Sequence, residues 1–308
     1  MGLIVVVGSI NSDMVVSAPR IPQPGETILG YNFAVYPGGK GANQAVAVAR
    51  LGHPCSIVGK LGRDGFGADL RAQLVKAGVD TAAVGEADGP SGVALITTGA
   101  DGENSIVVVP GANALLTPAD IDACRDLIRS AAIVLVQLET PLETVARVAE
   151  VAGENNVPVM LDPAPAQPLT DDLLRRLAWI TPNSTETGII LGAGAVADDP
   201  KNAPGLAEAL LARGPRGVVL KMGSHGAYLA TSDGLRTHIP AFKVAVVDTT
   251  AAGDAFNGGF AVGLARGMKL SEAARFASAV AAISVTRKGA QPSMPTLSEV
   301  EDFLRDRE

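Results

Sequence analysis

Residues 3–7 read LIVVV, an apolar run too short for a helix and without alternation. Such a run predicts a strand covered on both faces of a parallel sheet. Similar runs recur at 56–60, 133–137, 157–161, 179–181 and 217–222, and helical spacing fills the intervals between them. One helix is predicted to open near Gly41 and close at Gly52. Three others have legible starts, at Thr117-Pro118-Ala119-Asp120, Thr140-Pro141-Leu142-Glu143 and Thr296-Leu297-Ser298-Glu299. A hydroxyl three residues ahead of an acid ties down the free amides of a first turn, and proline suits the first helical position. This β-α-β rhythm predicts a three-layer α/β/α architecture on a mainly parallel sheet.

Two regions break the rhythm. Residues 13–36 carry Pro19, Pro22, Pro24 and Gly25 and then a partly alternating stretch, ETILGYNFAV. Residues 92–109 read GVALITT, a glycine-containing turn, and SIVVVP, which is a hairpin signal. Both predict short, partly exposed strands outside the main sheet. With no linker or repeat, the expectation is a single α/β domain over 1–308 carrying a small β appendage.

Composition narrows the function classes. Hydrophobic residues make up 47% and charged residues 19%, enough for a large core and against disorder. Lysine and arginine number 25 against 32 acids, a net charge of -7, so the basic footprint of a nucleic-acid or anionic-membrane binder is missing. Aromatics at 4% argue against stacking on single-stranded nucleic acid. No apolar stretch approaches a membrane span, and the N-terminus lacks the flanks of a signal peptide. Cys55 and Cys124 form no paired motif, which predicts a reducing, cytoplasmic setting. The 35 glycines suit loops in which backbone approaches a ligand closely.

The strongest chemical candidate is residues 248–259, DTTAAGDAFNGG. A β run at 243–247 is predicted to end there and a helix to begin. Ala251, Ala252 and Gly253 carry almost no side chain, so their amides can face an anion at the helix N-terminus. Asp254 would then take the proton of an attacking hydroxyl. The alternative is that it merely complements the helix dipole. Behind it, Ala255, Gly259 and Gly263 share one narrow face. In Pro37-Gly38-Gly39-Lys40-Gly41-Ala42-Asn43-Gln44 the spacing fits neither a Walker loop nor GxGxxG. It reads as a ligand-approach loop with Asn43 facing the ligand, or as a plain turn.

Asn11 and Asp13, just past the first strand, suit the grasp of a polyol, or a turn. Glu139 holds the same kind of position after another strand. Asn183 and Glu186 fit a capping arrangement, or an acid orienting Mg²⁺-bound water. His53, His225 and His238 are isolated and show no metal-ligand spacing.

Taken together, GSINSD, PGGKGANQA, QLETP, DPAPA, TPNSTE, DTTAAGDAFNGG and VTRKGAQPS resemble the PfkB carbohydrate-kinase family, in family order over nearly the whole chain. The resemblance implies a ribokinase-like fold with a β lid at about 13–36 and 92–109 that often serves as a dimer interface. It implies ATP-dependent phosphorylation of the 5-hydroxyl of D-ribose, with Asp254 as base. The matching sugar contacts are Asn11, Asp13, Gly39, Lys40, Gly41, Asn43 and Glu139. On the nucleotide side they are Asn183, Lys221, Gly223, Ser224, Gly226, Ala252, Gly253 and Ser278, with Glu186 organising Mg²⁺. It also implies activation by K⁺, held by Asp248, Thr250, Ser284, Arg287, Gly289 and Ser293. Lys221 stands where a threonine is usual, and Ser278 where a larger polar residue is. Rival readings are a related kinase for deoxyribose, another sugar or a nucleoside, a non-catalytic sugar-binding protein, and a nicotinamide dehydrogenase. The missing GxGxxG speaks against the last.

Overall fold

The computed structural model describes residues 2–194 and 199–307, so residues 1, 195–198 and 308 of the expected domain lie outside the description. In chain order the strands are β1 (Ile4–Val7), β2 (Asn11–Ser17), β3 (Asn32–Gly38), β4 (Cys55–Gly62), β5 (Val84–Ala87), β6 (Gly92–Thr98), β7 (Asn104–Val109), β8 (Ile133–Val136), β9 (Val159–Leu161), β10 (Trp179–Ile180), β11 (Gly217–Lys221), β12 (Ala227–Thr231) and β13 (Arg236–Ile239). The helices are α1 (Lys40–Arg50), α2 (Gly65–Lys76), α3 (Pro118–Ala123), α4 (Arg125–Arg129), α5 (Leu142–Gly153), α6 (Asp171–Arg176), α7 (Ser184–Ile190), α8 (Ala203–Leu211), α9 (Ala252–Ala265), α10 (Leu270–Ser284) and α11 (Leu297–Arg305).

β1 is the keel of the molecule. Ile4 and Val6 pack into one core with side chains of α1, α9 and α10, while Val5 and Val7 pack into another with α5. Each such side chain contributes about 1.5–3 kcal/mol on burial, so a strand sealed on both faces anchors both layers. Among the described residues the main sheet has nine strands in the order β13-β12-β11-β10-β9-β8-β1-β4-β5. It is parallel from β11 through β5; β12 alone runs against the others, so its pairings with β11 and with β13 are antiparallel. Because β1 pairs with β4 on one side and β8 on the other, the strand order reverses at β1. The carboxyl ends of the strands flanking such a switch point open a crevice.

The two irregular regions form a separate four-stranded sheet, β3-β2-β6-β7. The predicted hairpin is there: β6 and β7 pair antiparallel, and β2 joins the two halves by pairing parallel with β6. α9 lies between α1 and α10. A Cβ on Gly259 or Gly263 would fall 3.0 or 2.9 Å from a Cα of α10, at Ala277 and Ala273, so the narrow face read from the sequence is what lets these helices meet.

Two expectations fail. Residues 243–247 are not a strand. Val246 and Val247 are exposed, and the segment leaves the sheet edge to reach α10, where the amides of Val247 and Asp248 both donate to the Val285 carbonyl. The β-branched residues there satisfy the local propensity, but no neighbouring strand is available to pair with them. Thr140 is not the cap of α5. Pro141 takes that position with extended backbone, no side chain caps the helix, and the buried Thr140 hydroxyl has no partner among the described residues. The boxes at Thr117 and Thr296 form as read.

Candidate active site

Each chemical group of the site hangs from the carboxyl end of a parallel strand. Ser9 and Asn11 follow β1, Gln137 and Glu139 follow β8, Asp162 follows β9, Asn183 and Glu186 follow β10, and Lys221 ends β11. Two helix N-termini, α1 and α9, close the crevice from one side.

The glycines of GGKG act through close approach. Gly39 is the N-cap of α1 at φ 86°, a region that favours glycine, and a Cβ there would lie 2.8 Å from the Asn11 amide nitrogen. A Cβ on Gly41 would lie 2.6 Å from the Gly8 carbonyl carbon. α1 therefore begins in direct contact with the β1–β2 turn, where the Ala42 amide donates to the Ser9 carbonyl at 2.9 Å. The same contact fixes Glu139. Its Oε2 accepts from Ser9 Oγ at 2.5 Å and from the Lys40 amide at 3.1 Å. Asp13 lies over Gly38, whose missing Cβ leaves room for the carboxylate. Asn11 is buried and is held by Asn113, whose Nδ2 donates to its Oδ1 at 2.7 Å.

α9 opens without a side-chain cap. Ala251 is in the left-handed conformation, at φ 59°. The Ala252 amide reaches Thr249, but the amides of Gly253 and Asp254 have no acceptor among the described residues. Unpaired amides at a helix start are an anion cradle. Asp254 itself is buried and points back at α1. Asn43 Nδ2 donates to its Oδ2 and Gln44 Nε2 to its Oδ1, both at 3.0 Å. Gln44 Nε2 also donates to Asp162 at 3.1 Å, and Lys221 Nζ pairs with the other oxygen of Asp162 at 2.9 Å. The Lys221 ammonium therefore lies beside Gly253, 3.2 Å from where a Cβ would stand.

Burial dominates the electrostatics of this cluster. It pushes Asp254 up to about 6, with Asp162 adding to the rise and Lys40, Gln44 and Asn43 opposing it. It pushes Asp13 up to about 7, helped by the charges of Glu139 and Asp254. Burial acts to lower the Lys40 ammonium, but Asp254, Asp162, Glu139 and Glu186 outweigh it and hold Lys40 above its ordinary range. Glu186 is raised by burial while Lys221 pulls it down. A carboxyl whose folded-state pKa is raised weakens the fold as pH climbs from its ordinary value to the raised one, because the unfolded chain then binds fewer protons. Asp13→Asn is therefore expected to raise the Tm of the ligand-free protein, and by more at pH 8 than at pH 5. Equal shifts in a melting series across pH would contradict this.

The structure thus brings Asn11, Asp13, Gly39, Lys40, Gly41, Asn43, Glu139 and Asp254 into one crevice. Ala252, Gly253 and Lys221 lie at its other end. Asn183 and Glu186 form a reciprocal capping box at the start of α7, each side chain accepting the other's amide at 2.8 Å. Gly223, Ser224 and Gly226 make the tight turn after β11, and Gly226 at φ 87° passes against Ile239 and Ala241. Ser278 is buried on α10, and among the described residues no hydrogen bond ties it to the cluster. Asp248 gathers the other loop. Its Oδ1 accepts from the Thr250 amide and hydroxyl at 2.9 and 2.6 Å, and its Oδ2 from the Gly289 amide at 2.8 Å. Among the described residues the carbonyls of Thr250, Arg287 and Gly289 accept no hydrogen bond.

Sequence reasoning missed Asp162, the role of Gln44 and Gln137, and Asn113. Asp162 was within reach, since it ends a predicted strand just as Gln137 does. Asn113 lies in a 3-10 turn, Gly111–Leu115, that carried no signal.

Comparison with known proteins gives a consistent result. The family model described as pfkB family carbohydrate kinase matches residues 1–297. A ribokinase of Haemophilus influenzae is 42% identical over 97% of each chain. A deoxyribokinase of Salmonella typhi is 36% identical over 98% of each. The structure of Arabidopsis thaliana ribokinase complexed with ribose and ATP superposes with a TM-score of 0.92 at 35% identity, covering 99% of both chains. The chain belongs to the pfkB family of carbohydrate kinases.

Proposed function

We propose that this chain transfers the γ-phosphoryl group of ATP to the 5-hydroxyl of D-ribose, giving ribose 5-phosphate and ADP. The observation that carries the reading is Asp254, a buried carboxylate next to the unpaired amides of Gly253 and Asp254. That places a proton acceptor within one residue of an anion cradle, which is what in-line phosphoryl transfer to an alcohol requires. Relatives that phosphorylate ribose support the choice of sugar.

On this reading Asn11, Asp13, Gly39, Lys40, Gly41, Asn43 and Glu139 hold the sugar. Carboxylates accept from its hydroxyls, and the Lys40 ammonium and Asn43 amide donate to them. Asn183, Lys221, Gly223, Ser224, Gly226, Ala252, Gly253 and Ser278 line the nucleotide side. Lys221, unlike a threonine, adds a positive charge beside the cradle. Positioning and these fixed donors supply most of the acceleration.

Mg²⁺ would arrive with ATP, and it neutralises charge on the phosphates when bound. Glu186, half-buried and facing Lys221 and Asp162, suits the orientation of its waters. The unpaired carbonyls of Thr250, Arg287 and Gly289, with Asp248, fit a large monovalent cation such as K⁺. Ser284 and Ser293 complete the proposed set. Arg287 contributes only its carbonyl, since its cationic guanidinium has no acceptor; that group turns away to pair with Glu299 at 2.6 Å. An ion there would brace the loop that leads into α9.

The second sheet serves as a lid over the sugar and as the contact between two copies of the chain. Tyr31, Phe33, Ile106 and Val107 are 52–65% exposed on it, a cost in water that a second copy would remove. No helix among the described residues is long and apolar enough to cross a membrane. We place the activity in the cytoplasm, where its nucleotide is found.

The test is ADP release with D-ribose, 2-deoxyribose, fructose and adenosine, with and without K⁺. The highest kcat/KM is expected with D-ribose, with K⁺ raising turnover. A preference for 2-deoxyribose would move the assignment to the deoxyribose kinases. No ADP release with any acceptor would leave a binding protein.

A further inference from the structure

Gln44 lies at the centre of the buried cluster, 1% exposed, and its amide makes three close hydrogen bonds. Its Nε2 faces Oδ1 of Asp254 and Oδ2 of Asp162. Two carboxylates on one side of an amide can be met only by its nitrogen, so the orientation of this group is forced. Its Oε1 then needs a donor, and Gln137 Nε2 supplies it at 2.8 Å. Gln137 can reach that point because residue 8 is glycine: a Cβ there would lie 2.1 Å from Gln137 Oε1. Asp162 is fixed from its other side by Lys221. The chain Gln137–Gln44–Asp254 has one assignment of donors and acceptors that serves both carboxylates; it leaves the buried Oε1 of Gln137 unpaired among the described residues, and Asp162 with Lys221 closes its other end.

We infer that Gln44 is the positioning residue of the base, aiming the Asp254 carboxylate at the sugar hydroxyl, with Gln137 and the Asp162–Lys221 pair locking its amide in place. The inference rests on the kinase reading above. Asn43 grips the other oxygen of the base, but it rides on the same turn of α1 and accepts nothing through its own buried Oδ1. Gln44 is tied at both ends, so it determines the rotation of the carboxylate. Its N–H also favours the ionised base. The charged groups around that base are Lys40 on α1, Asp13 on β2, Glu139 after β8, Asp162 after β9, Glu186 on α7 and Lys221 on β11.

The experiment is a single-turnover rapid-quench measurement of D-ribose phosphorylation from pH 5 to 9, with wild type first. Absence of phosphorylation in wild type would defeat the kinase reading itself. Given wild-type transfer, Gln44→Met keeps the volume and removes the donor. The transfer rate is expected to fall roughly 10–100-fold, the scale of a misaimed reacting group. The KM for ribose should stay within about threefold, since the group does not bind the sugar. The acid limb of the rate should move to higher pH, which a merely loosened fold would not produce. Gln137→Met leaves the donor but frees its rotation, and it should show the same two changes to a smaller degree. If Gln44→Met does not fold, Gln137→Met decides alone. Folded variants with the wild-type rate and limb, or with a slower rate on an unmoved limb, would overturn the inference.

Discussion

Asp254→Asn is expected to cut turnover by roughly 10²-fold or more while leaving D-ribose binding largely in place. The reason is geometric as well as chemical. The carboxylate is buried, gripped by Asn43 and Gln44, and sits one residue from a free amide of the α9 N-terminus. Asparagine fills the same space and keeps an oxygen for one of the two donors, but it cannot take a proton. Coupled ADP release and calorimetric titration with ribose separate the two effects. In the wild type the base must be ionised, and burial pushes its pKa up to about 6. Turnover should therefore fall as pH drops through that value, because the proton then occupies the oxygen that must accept one. Near-wild-type turnover in the purified variant would remove Asp254 from the role.

Gly41→Ala should do damage out of proportion to one methyl group. The added Cβ would lie 2.6 Å from the Gly8 carbonyl carbon and 2.7 Å from both Gly8 Cα and the Ser9 nitrogen. These are backbone atoms, so no rotamer change relieves the clash, and the first turn of α1 must lift off β1. Lys40, Asn43 and Gln44 all ride on that turn. Overpacking of this kind costs about 1–3 kcal/mol of stability. A displacement on the order of 1 Å at the reacting groups costs about 10²-fold in rate. Gly205→Ala is the matched control, on α8 with open space around it, and is expected to hold or slightly raise Tm at unchanged rate. Equal rates for the two variants would show that α1 tolerates the shift.

Local chemistry was readable wherever a few adjacent residues decide the outcome. The run at 3–7, the boxes at Thr117 and Thr296, and the glycine face of α9 each carry their own cause. The failures share a different origin. The run at 243–247 had strand propensity but no partner, and Thr140 met the cap pattern yet was drawn into the interior. The position of Asp254 beside a helix start was legible from AAGD. Its grip was not, because Asn43 and Gln44 approach from 211 and 210 residues away. The fold, and nothing in the local sequence, brings these residues together. The shifts of Asp13 and Lys40 likewise depend on residues arriving from other strands, Glu139 after β8 for both and Asp162 after β9 for Lys40.

The root of the second sheet has a mechanical consequence. Asn11 and Gly38 face each other where β2 and β3 leave the crevice, and β2 runs seven residues outward from there. At about 3.3 Å per residue the far edge is roughly 20 Å from that fulcrum. A swing of about 10° would carry the edge some 3–4 Å while the root barely translates. The residues proposed to grip the sugar sit at the hinge pin, and the apolar edge sits at the end of the arm. Drift in the outer residues would therefore alter the proposed contact between copies while leaving the proposed sugar-binding residues in place.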